Sequence, residues 1–496
     1  MPGVGVRGKN SARLREKVGL NMTHPVEWLR TRRDFFLQAG LGFGSLALGA
    51  MLGESLRAEN PEYDPVKPLA PRLPHHRARA DSVIFLFMEG GPSHIDLFDP
   101  KPELTRCAGQ PLPPSFGKVF TPMGVGGNTL MASKRKFQQH GESGLWVSDW
   151  YPKVAEIADD LALVRSCWAD GVNHVGSVCQ MNTGSILAGR PSLGSWVTYG
   201  LGTESAELPA FVVMSDAAEP LGGPRNWGNA WLPATFQGTA LRASGAPILH
   251  LQPPESVTDA RQRAKLELIT DLDRHHAALR SDDTRLAARI AAYELAYRMQ
   301  SSAPEAVDLA SENVETQALY GLDNPQCKDF GAMCLRARRL VERGVRFVQL
   351  YCGSGSQWDS HRDLEGNHSK MCARSDQPVA ALITDLKRRG LLDRTLVVWG
   401  GEFGRTPMNE GSDGRDHNPY GFSMFMAGGG VKGGVTLGST DEFGLRAVED
   451  RVHVHDMHAT ILHMLGLDHL KLTFFRDGRE ERLTINGGKV VHGLLA

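Results

Sequence analysis

The chain has 496 residues, 41% hydrophobic and 22% charged, a composition that allows one large or two medium buried cores. Its net charge of -1 and pI near 7 give no basic surface, so nucleic acid is not expected as a partner. The seven cysteines form no paired motif, which argues against a disulfide framework or a cysteine-based metal site.

Two adjacent arginines near the N-terminus, Arg32 and Arg33, precede a weakly apolar stretch at 39–52 that is rich in Gly and Ala. This pattern resembles a twin-arginine export signal, because the apolar stretch is too short for a convincing membrane span. A basic amphipathic helix is the alternative. We therefore predict a signal region at 1–58, a proline-rich linker at 59–80 and export to the periplasm. The partners would be the twin-arginine export machinery and, if the signal stays uncleaved, the membrane.

A run of six apolar residues at 83–88 predicts the first buried strand of the folded domain. Glu89 follows this strand directly, at the start of a glycine turn, which is a common position for a metal ligand or a general base. A carboxylate that only caps the turn is the alternative. His94, Asp96 and Asp99 come shortly after and are candidates for supporting contacts.

A strand predicted at 161–164 leads to Asn173 and His174, which precede small residues typical of a helix start. Free backbone N–H groups at a helix start can stabilise an anion, so both residues are candidate catalytic residues. A purely structural hydrogen bond is the alternative for His174. Residues 250–320 contain few glycines and many Ala, Arg, Leu and Glu, which indicates a helical insertion.

The strand predicted at 345–351 ends in a glycine-rich loop that contains Asp359 and His361. A carboxylate with an imidazole suits zinc, manganese or iron. The strand predicted at 395–399 ends in two glycines and Glu402, and the polar, glycine-rich segment after it is predicted to be a loop outside the core. Because carboxyl ends of parallel strands meet at one edge of a sheet, we expect these groups to converge. The predicted metal ligands are Glu89, Asp359, His361, Glu402 and His417.

Long phrases of the sequence resemble the family catalogued as domain of unknown function 1501, whose members are exported and sulfatase-like. They include GGPSHIDLFDPKP, WDSHRD, DLKRRGLLDRTLVVWGGEFGRTP and GRDHNPYG, and the resemblance runs from about residue 81 to the C-terminus. It implies the α/β sandwich of the alkaline phosphatase and sulfatase superfamily over 81–496. Such a fold has a mostly parallel central sheet with helices on both faces.

The resemblance also implies two metal positions. Asp359, His361 and His417 fall where one metal is bound in the superfamily, and Glu89 and Glu402 fall where the acids of the second metal lie. Two departures concern the chemistry. Phe403 stands where a ligand histidine is usual, and the sulfatase signature Cys-x-Pro-Ser-Arg is absent, which excludes a formylglycine nucleophile. His174 stands where cofactor-independent phosphoglycerate mutases carry their serine nucleophile.

These features predict an exported hydrolase of phosphate or sulfate esters with a divalent metal cofactor, for which zinc, manganese and calcium are candidates. Asn173 and His174 would be catalytic, and Arg405 would stabilise the developing negative charge. The substrate would be a small anionic ester or a sulfated or phosphorylated saccharide. The alternatives are a catalytically degenerate member that binds an anionic saccharide and a purely structural protein.

Replacing Arg32 and Arg33 together by lysine should retain the precursor in the cytoplasm, because the twin-arginine pathway reads the guanidinium pair itself. Cell fractionation followed by immunoblotting measures the outcome. The control variant replaces Arg13 and Arg15, which lie outside the motif, and should be exported normally. Normal export of the Arg32/Arg33 variant would remove the support for this signal.

Overall fold

A computed structural model of the chain describes residues 68–242, 247–248, 257–278 and 284–496. The predicted twin-arginine region and the first part of the predicted linker lie outside these residues. Within the described ranges, no helix is both long enough and apolar enough to span a membrane.

The described chain contains both strands and helices, with runs of helices over 259–342 and of strands over 395–453. The strands are β1 (Ser82–Met88), β2 (Phe137–His140), β3 (Leu145–Ser148), β4 (Leu161–Trp168), β5 (Phe211–Ser215), β6 (Thr239–Arg242), β7 (Phe347–Cys352), β8 (Thr395–Gly400), β9 (Gly404–Glu410), β10 (Gly414–Asn418), β11 (Phe422–Ala427), β12 (Val435–Leu437), β13 (Ser439–Thr440), β14 (Ala447–Glu449), β15 (Val452–His453), β16 (Phe474–Arg476) and β17 (Arg479–Glu481). The α-helices are α1 (His94–Leu97), α2 (Pro102–Arg106), α3 (Pro152–Ala155), α4 (His174–Thr183), α5 (Leu193–Leu201), α6 (Asp259–Ala278), α7 (Thr284–Val307), α8 (Val314–Leu319), α9 (Lys328–Glu342), α10 (Leu364–Arg388) and α11 (Val454–Met464). The predicted helical insertion at 250–320 holds α6, α7 and α8.

A nine-stranded sheet forms the centre of the domain, in the order β12-β4-β11-β8-β1-β7-β5-β6, with β15 also paired to β4. Its neighbouring strands are parallel except for β11, which runs antiparallel to both β4 and β8. The crossover from β7 through α10 to β8 leaves β1 between those two strands. The prediction of an α/β fold with a mostly parallel sheet is confirmed.

Every residue of β1 is buried, because each face of this strand lies against a layer of helices. Side chains alternate across a strand. Ile84 and Leu86 enter a core with side chains of α9 and α10, whereas Phe85 and Phe87 enter a second core with α5 and α11. A strand covered on both faces is apolar at successive positions, as the sequence SVIFLFM is. Helices therefore cover both faces of the sheet, as predicted.

The segment between β8 and β11 differs from its prediction as a loop outside the core. It forms the antiparallel β9–β10 hairpin, in which Arg405, Asp416 and His417 are 0%, 0% and 6% exposed. A polar segment can be buried when its groups are hydrogen-bonded. The partners here lie elsewhere in the chain, where no local sequence pattern reveals them.

The end of the predicted linker also differs from its prediction, because residues 68–80 pack on the folded domain. The N–H of Arg72 donates to the carbonyl of Leu201 at 3.0 Å, and the N–H of His76 donates to that of Gly466 at 3.1 Å. Ala80 is buried. The folded part therefore begins before residue 81.

Replacing Arg338 on α9 by methionine should lower the free energy of unfolding by about 1.5–3 kcal/mol, because it removes a buried cation that two buried carboxylates share and leaves them only Arg339 and Arg389 as cationic partners. The Arg338 guanidinium lies 2.7 Å from Glu312 and 3.0 Å from Asp385, and all three side chains are at most 8% exposed. Equilibrium urea unfolding measures the change. The control Arg343→Met removes a cation whose partner Glu305 is 76% exposed, and it should cost less than about 1 kcal/mol. Equal losses for the two variants would contradict this assignment.

Candidate metal centre

The carboxyl ends of β1, β7 and β8 lie side by side at one edge of the sheet. β4 points the same way as β8, because both run antiparallel to β11. The segments that follow these four strands therefore begin at the same edge. They bring together Glu89 after β1, His174 after β4, Asp359 and His361 after β7, and Glu402 after β8.

His174 is the first residue of α4, and Asn173 caps that helix by accepting the N–H of Gly176 at 3.0 Å. The side-chain oxygen of Asn173 is thus used inside the protein. His174 Nδ1 lies 2.8 Å from Glu402 Oε1, and its Nε2 lies 3.2 Å from Asp359 Oδ2. Burial alone would lower the pKa of His174, but its contacts with Asp359 and Glu402 raise that pKa to about 9.

Asp359 lies at the centre of the site. Its Oδ1 is 3.2 Å from His361 Nε2, 3.5 Å from His417 Nε2 and 2.8 Å from Arg405 Nη2. Burial opposes ionisation of this carboxyl, yet contacts with His174 and His417 and the charge of Arg405 hold its pKa far below the usual range. Asp359 is therefore a carboxylate at every physiological pH.

Four of the described side chains offer ligand atoms that all lie within 4.8 Å of one another: His174, Asp359, His361 and His417. We call them the ligand group. Within the described chain, His174 Nε2, His417 Nε2 and Asp359 Oδ1 are buried without a well-aligned hydrogen-bond partner. Leaving such atoms unsatisfied is costly, and coordination to one cation would satisfy them together. The ligand group therefore fits a divalent metal ion.

The second nitrogen of each histidine ring is held by an acceptor. The pairs are His174 with Glu402 at 2.8 Å, His361 with Glu410, and His417 with the carbonyl of Val172 at 3.0 Å. An acceptor at Nδ1 fixes the tautomer whose lone pair is on Nε2, and metal-binding histidines are held in this way. All three Nε2 atoms are thereby directed toward one position, and a cation bound there would displace the proton that the raised pKa of His174 keeps on its ring.

Glu89 and Glu402, which the sequence predicts as ligands, lie beside the ligand group rather than in it. Glu402 accepts the N–H of Gly90 at 2.9 and 3.1 Å in addition to its contact with His174. Glu89 accepts the N–H groups of Leu221 at 2.7 Å and Gly355 at 3.1 Å, and burial raises its pKa to about 7. Glu402 thus orients the ring of His174, and Glu89 joins the loops that contain Leu221 and Gly355.

Arg405 is fully buried and is tied to the protein at each guanidinium nitrogen. Its Nε donates to the carbonyl of Gly91 at 2.9 Å, Nη1 to that of Arg415 at 3.1 Å, and Nη2 to that of Gly90. These contacts do not match the predicted role of stabilising charge on a substrate. Arg405 instead positions Asp359 and the glycine turn.

Sequence reasoning missed one acid at the site, Glu410, and assigned no role to another, Asp416. Glu410 holds the ring of His361, and Asp416 accepts the N–H groups of Met123 at 2.8 Å and His417 at 2.7 Å. The available signal was the NEGSDG turn, which predicts a hairpin once its flanks are recognised as strands. The supporting candidates His94, Asp96 and Asp99 lie outside the ligand group, and Asp96 forms a buried ion pair with Arg415 at 2.9 Å.

The sequence profile of the family described as "Protein of unknown function (DUF1501)" matches residues 80–495. The chain belongs to the DUF1501 family. This match confirms the resemblance noted from the sequence phrases. Among curated proteins, none matches this DUF1501 chain.

Solved structures similar to the DUF1501 chain include three proteins of low identity. The lipoteichoic acid synthase LtaP from Listeria monocytogenes is 9% identical, with 82% of this chain and 75% of that chain covered and a TM-score of 0.35. A protein in the alkaline phosphatase superfamily from Vibrio parahaemolyticus is 10% identical, with 87% and 78% covered and a TM-score of 0.34. The phosphonate monoester hydrolase SpPMH from Silicibacter pomeroyi is 11% identical, with 84% and 76% covered and a TM-score of 0.36. The likeness is remote, so the chemistry of this site rests on its own geometry.

His417→Ala and Asp359→Ala should each remove bound transition metal from the purified protein, because each deletes one member of the ligand group. Glu410→Gln should weaken metal binding by about 10–100-fold, since it loosens only the hold on His361. Elemental analysis after dialysis gives the metal content, and competition with a chelator gives the affinity. The control His140→Ala changes a histidine on β2, outside the ligand group. Unchanged metal content in the first two variants would contradict the assignment.

Proposed function

We propose that the protein is an exported, metal-dependent hydrolase of phosphate or sulfate esters. One observation carries this proposal: three imidazoles and one carboxylate offer ligand atoms within 4.8 Å of one another, with the second nitrogen of every ring held by an acceptor. Export rests on Arg32 and Arg33, which lie outside the described residues.

The nitrogen-rich ligand group favours zinc or iron over manganese and calcium, because the latter two prefer oxygen ligands. Such an ion, when bound, supplies Lewis acidity toward an ester oxygen and lowers the pKa of water. The ligand group contributes a single carboxylate, Asp359. A divalent ion would therefore keep one unit of positive charge at its own ligands, which suits an anionic ester, while the acids Glu402 and Glu410 lie one hydrogen bond farther away.

The N-terminus of α4 offers a second attraction for an anion beside the ligand group. Two N–H groups of its first turn, those of Gly176 and Ser177, donate to Asn173. Those of His174 and Val175 precede them and are the donors that we assign to a bound ester oxygen. The partial positive charge of a helix N-terminus adds to their effect.

We assign direct attack by water rather than a covalent intermediate on the chain. His174 occupies the position expected for a nucleophile, but its ring nitrogens face Glu402 and Asp359. Asn173 is used as a helix cap and Arg405 as a positioning residue. In this mechanism the chain holds the ester while water attacks its phosphorus or sulfur atom. The bond from that atom to the organic oxygen breaks, and the alcohol leaves with a proton that comes from the water. No side chain is phosphorylated or sulfated.

The alternative is a catalytically degenerate protein that binds an anionic saccharide. It is favoured by one observation, that the site has neither a serine nor a cysteine where the nucleophile is expected. Both functions need the same metal and the same anion, so turnover decides between them.

Metal-loaded protein should hydrolyse an aryl phosphate or an aryl sulfate without an initial burst, because no covalent intermediate accumulates. His417→Ala should lower kcat/KM by more than about 100-fold, the upper range found for loosening a ligand's support. His140→Ala should retain full activity. Full metal occupancy with no turnover of aryl phosphate, aryl sulfate or an aryl phosphodiester would instead support the binding protein.

A further inference from the structure

Five apolar side chains are exposed in two chain segments, 120–123 and 175–187, which are tied to residues at the ligand group. Most large hydrophobic residues of the described chain are buried in its cores, and exposing them to water is unfavourable. Exposed apolar patches mark binding surfaces. The five residues that we call the apolar rim are Phe120 (64% exposed), Met123 (58%), Val175 (49%), Ile186 (46%) and Leu187 (71%).

One side of the rim is tied to the β9–β10 hairpin. The N–H of Met123 donates to the Asp416 carboxylate at 2.8 Å, and Asp416 directly precedes the ligand His417. The hydroxyl of Tyr420 donates to the carbonyl of Phe120 at 3.1 Å. These two bonds place the loop that carries Phe120 and Met123 beside the ligand group.

The other side of the rim is tied to the start of α4. Val175 directly follows the ligand His174, and the carbonyl of Ile186 lies 3.5 Å from where a Cβ on Gly176 would stand. The loop with Ile186 and Leu187 therefore packs on the first turn of this helix.

The two sides of the rim are tied to neighbouring members of the ligand group, His417 on one side and His174 on the other. The rings of His174 and His417 are 4.3 Å apart, and the buried ring of Phe403 stacks on His417 at 4.4 Å. An anionic group held at the ligand group would thus lie near both segments that carry the rim.

We propose that the ester processed here is amphiphilic, a phosphate or sulfate monoester whose organic part is an alkyl chain or an aryl group bound by the apolar rim. This inference rests on the proposed function and names its substrate class. Charge complementarity selects the occupant, because the cation site takes the anionic end while the rim takes the apolar end. The rim side chains carry no hydroxyl, amide or charge, so sugar hydroxyls covered by them would lose hydrogen bonds to water without replacement.

The test measures competitive inhibition of aryl phosphate turnover, together with calorimetric binding, for n-butyl, n-hexyl and n-octyl phosphate below their micelle concentrations. Full burial of one methylene corresponds to about 4-fold in affinity. Octyl phosphate should therefore bind at least about 10-fold more tightly than butyl phosphate even when the chain is only partly covered. Inorganic phosphate and a sulfated disaccharide are measured alongside.

The double variant Met123→Ser/Leu187→Ser should flatten this dependence on chain length while inorganic phosphate binds as before. Val314→Ser is the matched control, because Val314 is 82% exposed at the start of α8, outside the rim, and it should keep the full dependence. Thermal melting of all variants checks that they fold.

Equal affinities for butyl and octyl phosphate would overturn the inference, as would tighter binding of the sulfated disaccharide than of octyl phosphate. Binding to phosphatidylcholine vesicles that the double variant abolishes, without any dependence on chain length, would assign the rim to a membrane and also overturn it. Turnover without chain-length dependence refutes only the amphiphilic substrate. Chain-length dependence in calorimetry without turnover refutes only the hydrolase.

Discussion

The centre of this protein depends on acceptors that hold the Nδ1 side of three imidazole rings. A free imidazole exchanges its proton between two nitrogens, and only one tautomer directs a lone pair toward the site. The carboxylates of Glu402 and Glu410 and one backbone carbonyl select that tautomer for all three rings. Each acceptor is itself fixed by the fold, so the orientation of the ligands is a property of the sheet edge rather than of the ligand residues alone.

That edge is rigid because the turns after the strands touch one another. A Cβ on Gly90 would lie 2.5 Å from the backbone nitrogen of Asp359, and the φ angle of Gly90 is +120°. Only glycine fits such a close approach in this conformation. The same turn donates its N–H to Glu402 and its carbonyl accepts from Arg405, so the ends of β1, β7 and β8 are joined through one residue. The network that buries the polar hairpin thus also positions Asp359.

The sequence was sufficient for the central strands of the sheet and for the residue types at its edge. It did not predict the outer strands β5, β6, β12 and β15, and it did not show which edge residue has which role. Continuous apolar runs identify β1, β7 and β8, and the parallel order brings Glu89, Asp359 and Glu402 to one place. Whether a strand-end acid coordinates a cation or orients a ring depends on contacts between distant positions. Glu402 and His174 are 228 residues apart. Glu410 was missed because its role requires the hairpin, whose burial is stabilised by long-range partners.

Glu402 holds the ring of His174 and does not belong to the ligand group, and this difference from the prediction changes the electrostatics of the site. With Asp359 as its one carboxylate, the ligand group leaves excess positive charge on a divalent ion, whereas two or three ligating acids would cancel it. This excess attracts an anion most strongly where water is excluded, since a low dielectric strengthens charge interactions. An apolar group lying over the rim would exclude that water. Binding of the organic part of a substrate would then also strengthen the stabilisation of charge on its ester. This coupling explains why apolar residues are exposed beside a charged site.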